Sequence, residues 1–234
     1  MKRRVVTSED GSRTLTLTDA EESYHSMFGA VTESRHIYLG AGLEYLESTL
    51  GEDKSIRILE IGFGTGLNCL LTALYAYENP AVSVHYTTIE KYPVTPEEIE
   101  LLDHPSLFEK TRHKAKILSA AIHGAAWEKE SALLKNMTLL KIEDDVCDAL
   151  PRLVSGRFNL IYFDAFAPDL QPELWSLQNF KSIFESMESG GVLVTYSSKG
   201  TVKSTLREAG FEVSRLRGPK GKRHMVRAVK PELL

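Results

Sequence analysis

Four carboxylates, each placed just after a short apolar run, are the residues of this sequence best placed to do chemistry. The first heads the segment Glu60-Ile61-Gly62-Phe63-Gly64-Thr65-Gly66-Leu67-Asn68. Its glycines let the backbone turn tightly and approach a ligand closely. A helix starting there points its free N–H groups at that ligand. The dinucleotide fingerprint G-x-G-x-x-G/A needs a small residue at its third fixed position. Here that position holds Leu67, and the last glycine arrives one residue early, at Gly66. Glu60 would repel a pyrophosphate and suits the ammonium of an amino-acid moiety. The pattern therefore favours S-adenosylmethionine over NAD, with Glu60, Gly62, Phe63, Gly64, Thr65, Gly66 and Asn68 assigned to the cofactor.

The second carboxylate, Glu90, lies 24 residues beyond Gly66, close to the ~20 expected of an acid that holds ribose hydroxyls. With its neighbour Lys91 it is assigned to the same cofactor. The third apolar run ends in Glu143-Asp144-Asp145, where a carboxylate can accept from the exocyclic amine of adenine. The fourth ends in Asp164-Ala165-Phe166-Ala167-Pro168. Four apolar residues, Leu160 to Phe163, lead directly into Asp164, so its carboxylate sits at the edge of the core, where an acid must be capped, paired or functional. Asp164 is assigned the catalytic role beside the cofactor. Phe166 and Pro168 form an apolar wall able to stack a base, or, more simply, pack into the core.

These positions need a frame of alternating strands and helices. The pattern predicts strands over 56–61, 82–89, 137–142, 158–163 and 192–196, with helices over about 67–77 and 201–209. Thr95-Pro96-Glu97-Glu98 starts another helix, with Thr95 as cap and Glu98 closing a capping box. Residues 104–136 read as mostly helical. Segments 211–216 and 224–229 close the sheet as an antiparallel pair around Gly218-Pro219-Lys220-Gly221. Ahead of this frame, 3–7 and 13–18 form a β-hairpin turning at Gly11, and a helix runs through Leu43, Tyr45, Leu46 and Leu50. The expected class is α/β: a doubly wound, mostly parallel Rossmann-like sheet with an antiparallel last strand. Residues 1–50 are expected to form a hairpin and helical extension packed on a single core unit, 51–234. In such sheets ligands bind beyond the carboxyl ends of the strands, which is where the four acids fall.

Composition narrows the field further. The chain has 234 residues, 42% of them hydrophobic and 26% charged, a globular mixture with no apolar run near the roughly 20 residues of a membrane span. The charged start, Met1-Lys2-Arg3-Arg4, is not followed by the apolar stretch of a secretion signal. Two cysteines, Cys69 and Cys147, fit a reducing compartment, and a cytoplasmic location is expected. No His/Cys cluster has metal-ligand spacing, so no metal is expected. Net charge is −4, yet residues 215–230 hold seven Lys and Arg and no acid. That asymmetry is either a solvated surface or the footprint of a polyanionic partner.

Five segments in this order are similar to the bacterial tRNA-modifying methyltransferases of the MnmC/MnmD type. They are Glu33-Ser34-Arg35-His36-Ile37-Tyr38, Gly62 through Asn68, Glu90-Lys91-Tyr92-Pro93, Asp164 through Pro168 with Pro172-Glu173-Leu174-Trp175, and Lys222-Arg223-His224-Met225. The glycine segment is generic; Asp-x-Phe-Ala-Pro followed by Pro-x-x-Trp is specific. Some members carry Gly at the position of Ala165. Others carry Gly-Asp after the third strand, matched here by Asp145 with Asp144 beside it. The resemblance implies a class I methyltransferase that uses S-adenosylmethionine to methylate the amine of 5-aminomethyl-2-thiouridine at the tRNA wobble position. The alternative is another small-molecule or RNA acceptor on the same fold. Some relatives add a flavin-dependent oxidase domain; this chain ends at Leu234 and is expected to act on the aminomethyl form only. Contacts to the tRNA anticodon loop are expected from Arg35, His36, Phe166, Pro168, Lys199, Lys220, Lys222 and Arg223.

Overall fold

The computed structural model describes residues 2–20, 22–52, 54–153, 155 and 157–232. Met1 and Leu234, the ends of the two expected segments, lie outside the described residues. The chain opens with the antiparallel pair β1 (Arg3–Thr7) and β2 (Arg13–Leu17), in which Arg3 faces Leu17 and Thr7 faces Arg13. Gly11 makes the turn possible at φ 81°. Next, α1 (Ala30–Ser34) passes without a break into a π-helical stretch, Arg35–Glu44, and then into α2 (Tyr45–Thr49). The helical region thus begins well before Leu43. Its middle is wider than an α-helix, a form rare in proteins and frequent at functional sites.

The remainder alternates as expected: β3 (Ser55–Ile61), α3 (Leu67–Glu78), β4 (Ser83–Glu90), α4 (Pro96–Leu102), α5 (Arg112–Gly124), β5 (Ser131–Leu134), β6 (Met137–Glu143), α6 (Val146–Ala149), β7 (Phe158–Phe163), α7 (Leu177–Ser186), β8 (Met187–Thr195), α8 (Gly200–Glu208), β9 (Glu212–Arg217) and β10 (His224–Val229). The capping box at α4 is formed on both sides: Glu98 N–H donates to Thr95 Oγ1 at 3.2 Å and Thr95 N–H to Glu98 Oε2 at 2.8 Å.

All but the hairpin strands join one sheet in the order β5-β6-β4-β3-β7-β8-β10-β9. The five strands from β6 to β8 are parallel; β10 runs antiparallel to that block and β9 antiparallel to β10, and β5 pairs antiparallel at the opposite edge. This is the doubly wound, mostly parallel sheet expected, with two differences of detail. Residues 131–134, read as part of a helical region, form the edge strand β5. That strand is short and bulged between Ala132 and Leu134, and it exists because β6 offers a free edge rather than through strand propensity of its own. In addition, β8 starts five residues earlier than expected, at Met187. The glycines at 190 and 191 lie inside it as a register irregularity beside β7, not ahead of it as a turn.

Alternation along β3 divides the core. Ile56 and Ile58 face a layer built by α3, α5 and the π-helical stretch, whereas Leu59 and Ile61 face α6, α7 and α8. All six residues of β7 are buried, as a strand covered on both faces requires. The hairpin is tied to α4 and its surroundings: Arg3 Nε donates to Glu98 Oε1 at 2.8 Å, and Arg13 Nη1 to Leu101 O at 2.8 Å. Among the described residues no helix is long and apolar enough to cross a membrane.

Candidate active-site cleft

Strand order reverses between β3 and β7, and a cleft opens there beyond their carboxyl ends. The loop after β3 forms its floor. Gly62, Gly64 and Gly66 all have positive φ, at 87°, 51° and 73°. A Cβ on Gly62 would lie 2.8 Å from the carbonyl oxygen of Asp164, so only glycine lets the β3 and β7 loops touch. Backbone bonds lock the same seam: Asp164 N–H donates to Ile61 O, and Gly62 N–H to Ile89 O, each at 3.0 Å.

The four acids occupy different depths. Asp164 is half-buried on the cleft wall. Its Oδ1 accepts from the Tyr38 hydroxyl at 2.5 Å and its Oδ2 from Asn68 Nδ2 at 2.8 Å. Burial pushes its carboxyl up to about 7, against the opposing pull of the Tyr38 and Asn68 hydrogen bonds. Glu60 lies beneath it with no exposed surface. It accepts from Asn68 Nδ2 at 3.1 Å and Thr88 Oγ1 at 3.0 Å. Burial, with Asp164 nearby, raises its proton affinity far above the usual carboxylate range. It does not reach the cleft surface; Asn68 links it to Asp164 by donating to both. Glu90 faces the cleft and accepts from the backbone N–H of Gly64 at 2.9 Å and of Tyr92 at 2.7 Å.

Asp145 is drawn away from the cleft. It caps α6, accepting from Cys147 N–H at 2.8 Å, and pairs with Lys91 at 2.6 Å. Its carboxyl is lowered, chiefly by Lys91. Asp144 pairs with Arg152. The neighbouring side chain on the cleft wall is Val146.

Of the residues expected to meet tRNA, Phe166 lines the cleft and packs edge-on against Tyr24, ring centres 4.9 Å apart. Lys222 also lies inside it, paired with Glu33 and with Nζ 4.1 Å from the centre of the Tyr196 ring. Pro168 lies on the same loop as Phe166, outside the cleft lining. Lys199 pairs with Asp169, and Lys220 with Glu9 at 2.8 Å; these and Arg223 are exposed. Arg35 and His36 face a separate shallow groove, where His36 Nε2 meets the Arg217 carbonyl at 2.9 Å. The expected set therefore divides into a cleft group and two outer groups. The sequence pattern does not single out Tyr24, Tyr38, Glu33 and Tyr196 as site residues. Tyr38 and Glu33 sit in the segment that carries the family resemblance, which was the available signal.

A family model described as S-adenosyl-L-methionine-dependent methyltransferase matches residues 110–231. The chain belongs to this methyltransferase family. The matched span takes in Asp145, Asp164 and Lys222; the glycine loop precedes it. Two relatives are each called tRNA 5-methylaminomethyl-2-thiouridine biosynthesis bifunctional protein MnmC. The one from Cupriavidus necator is 33% identical over 214 residues, which is 88% of this chain and 31% of that protein. The one from Pseudoalteromonas atlantica is 29% identical over 226 residues, or 91% of this chain and 31% of that protein. The chain thus spans about a third of the length of these relatives. Among solved structures, MNMC2 from Aquifex aeolicus superposes with a TM-score of 0.77 at 26% identity, over 100% of this chain and 73% of that one.

The family's cofactor is S-adenosylmethionine, and the cleft suits it in ways the fold alone does not demand. The loop after β3 presents bare backbone to the cleft. The buried Thr65 hydroxyl and the Asn68 Oδ1, both on this loop and the start of α3, have no hydrogen-bond partner. Buried polar atoms of that kind are ordinarily satisfied, and a polar ligand on the loop would satisfy them. Among the described residues no group of three His, Cys, Asp or Glu is placed to hold a metal.

Proposed function

We propose that this methyltransferase methylates the primary amine of 5-aminomethyl-2-thiouridine at the tRNA wobble position, giving 5-methylaminomethyl-2-thiouridine. The observation that carries the reading is Asp164: a carboxylate at the strand-switch cleft, hydrogen-bonded on both oxygens and raised to about 7. The names of the relatives point to the same modified nucleoside. An alkyl amine attacks only when neutral, and in water it is mostly protonated at neutral pH. A base near 7 inside the cleft can take the ammonium proton and still be partly ionised at the working pH.

S-Adenosylmethionine, when bound, supplies an electrophilic methyl group on sulfur. The chain's own residues do the remainder. Gly62, Phe63, Gly64, Thr65, Gly66 and Asn68 hold the cofactor on the loop after β3, and Glu90 with Lys91 holds it at the end of β4. Asp145, with Asp144, sets the adenine end by fixing the start of α6 and the position of Val146. Glu60 acts from beneath, by holding Asn68. Asp164 orients the amine and accepts its proton, so the nitrogen lone pair is free to form the new C–N bond. Phe166, braced by Tyr24, offers a face for the splayed-out wobble base, as single-stranded RNA loops are commonly held, and Pro168 shapes the loop that carries it. Lys199, Lys220 and Arg223, with Arg35 and His36 farther out, meet backbone phosphates of the anticodon loop. Lys222 meets the substrate inside the cleft. A cytoplasmic location accords with such a substrate.

The test is transfer of labelled methyl from S-adenosylmethionine to bulk tRNA from a strain lacking this methylation, followed by digestion to nucleosides and mass spectrometry. Loss of 5-aminomethyl-2-thiouridine with matching growth of its methylated form is expected. Cofactor binding without any change in the tRNA nucleosides would withdraw the substrate and keep the methyltransferase.

A further inference from the structure

We propose that Tyr38 is a positioning residue for methyl transfer: held against Asp164 by the π-helical stretch, its hydroxyl fixes the carboxylate's orientation and sets how readily it takes up a proton. The inference rests on Asp164 being the proton acceptor. Tyr38 is almost fully buried, at 1% exposure, and its hydroxyl reaches Asp164 Oδ1 at 2.5 Å. Burial and the adjacent carboxylate keep the phenol protonated far beyond neutral pH, so it acts as a donor. The bond joins the N-terminal helical region to the end of β7, 126 residues later.

Two features of the helix make that reach possible. Tyr38 lies inside the π-helical stretch Arg35–Glu44, whose wider turn redirects side chains relative to an α-helix of the same sequence. Gly42, in the same stretch, lies against the two strands beside the cleft: a Cβ there would sit 2.9 Å from Val194 Cγ2 and 3.3 Å from Tyr162 Cε1. The helix can therefore lie close on β7 and β8. The Tyr38 ring in turn packs on Tyr162, centres 5.3 Å apart. A phenylalanine would serve that packing equally well. The hydroxyl is what the carboxylate needs.

Other groups bear on Asp164 from every side. Asn68 donates from α3, Glu33 in α1 is a like charge, and Glu60 at the end of β3 lies beneath with its own proton affinity raised. Lys222, from the loop before β10, is an opposite charge, and the Tyr196 phenol stands just after β8. Asn68 and Lys222 favour the ionised carboxylate together with Tyr38; burial and Glu33 oppose it. A hydrogen bond to the charged form favours that form. Removing the hydroxyl therefore raises the proton affinity of Asp164.

The experiment compares wild type with Tyr38→Phe. It follows the carboxyl carbon signal of Asp164 by NMR, assigned by its loss in Asp164→Asn, and the pH profile of kcat/KM for methyl transfer. The expected result is a titration midpoint about one unit higher in Tyr38→Phe, with the acid limb of the profile displaced equally. Above that limb turnover returns to within several-fold of wild type, and cofactor affinity stays unchanged. A midpoint that does not move overturns the proposal, as does an even loss of rate at every pH with the limb in place. Wild-type turnover in Asp164→Asn also defeats it. A midpoint still displaced in Tyr38→Phe would then locate the fault in the role given to Asp164 rather than in the coupling.

Discussion

The strand-end loops of the cleft and the basic segment over residues 215–230 both carry dense charge, but they fix it by different means. In the cleft, position follows from the local chain. Each acid stands at or just beyond the carboxyl end of a parallel strand, from the enclosed Glu60 to the wall residue Asp164. In the basic segment, position follows from distant partners. Lys220 meets Glu9 and Lys222 meets Glu33, while Arg227 stacks over Tyr45 and Lys230 donates to the carbonyls of Phe184 and Met187. What looks in the sequence like one basic patch is a set of separately anchored cations. One of them, Lys222, belongs to the cleft.

The sharpest way to break this contrast is at Asp164. Asp164→Asn is isosteric and should lower kcat by about 10²-fold or more, the usual span of a general base, with cofactor affinity held within several-fold by equilibrium titration. Near-normal turnover would put the cleft's chemistry elsewhere. The next largest effect is expected at Gly62. Alanine there must adopt φ 87° and push against the Asp164 carbonyl, costing about 1–3 kcal/mol of strain. Cofactor affinity should fall at least tenfold. Gly11→Ala is the internal control, because Gly11 has a similar φ, 81°, but open space around it. It should lower thermal stability slightly and leave the cofactor alone. Equal effects of the two on cofactor binding would mean that the close approach of the β3 and β7 loops has no bearing on the site.

The same distinction decides what could be seen in the sequence. Strand-turn-helix units repeat within about thirty residues, and a local pattern suffices to place the glycine loop, the capping box at Thr95 and the carboxylates at the strand ends. Three features needed partners that the pattern cannot supply. Ser131–Leu134 is a strand because of β6, and Lys222 is a cleft residue because of Glu33, 189 positions away. The depth of Glu60 depends on Asn68 and Thr88 closing over it. Within the π-helical stretch only Leu43 belongs to a helical spacing legible in the sequence; Tyr38 is visible only as part of a segment shared with a known family.

Within the basic segment, Lys222 and Lys220 should part company. Removing Lys222 as Lys222→Gln leaves Glu33, whose side chain is 8% exposed, without its cation. Lysing that pair inside the cleft should reduce kcat/KM about tenfold with little change in salt dependence. The Lys220–Glu9 pair is open to solvent, where an ion pair adds little to stability. Lys220→Glu with Arg223→Glu should therefore leave the melting temperature nearly unchanged. It should flatten the dependence of tRNA affinity on salt by about 0.7 per lost phosphate contact on a single strand. A flattened slope for Lys222→Gln, or an unchanged one for the double variant, would reverse this division of labour.

The smallest effect concerns stability and isolates burial from catalysis. Because Asp164 is raised from 3.8 to about 7, chiefly by desolvation, the folded state holds this proton more tightly than the unfolded chain does. Below pH 4 the carboxyl is neutral in both states and burial carries no electrostatic penalty. Between pH 4 and 7 the unfolded chain loses its proton first, so folding stability falls as pH rises, and above 7 the penalty is complete. Asparagine is neutral throughout. The melting temperature of Asp164→Asn minus that of wild type should therefore climb between pH 4 and 7 and level off above it. A full shift of this size corresponds to about 4 kcal/mol; because the side chain is only half-buried, we expect about 1–2 kcal/mol, or several degrees for a chain of this length. A difference that stays flat across this range would mean that the carboxylate ionises without hindrance, and the cleft would then lack the base near neutrality on which the proposed proton transfer depends.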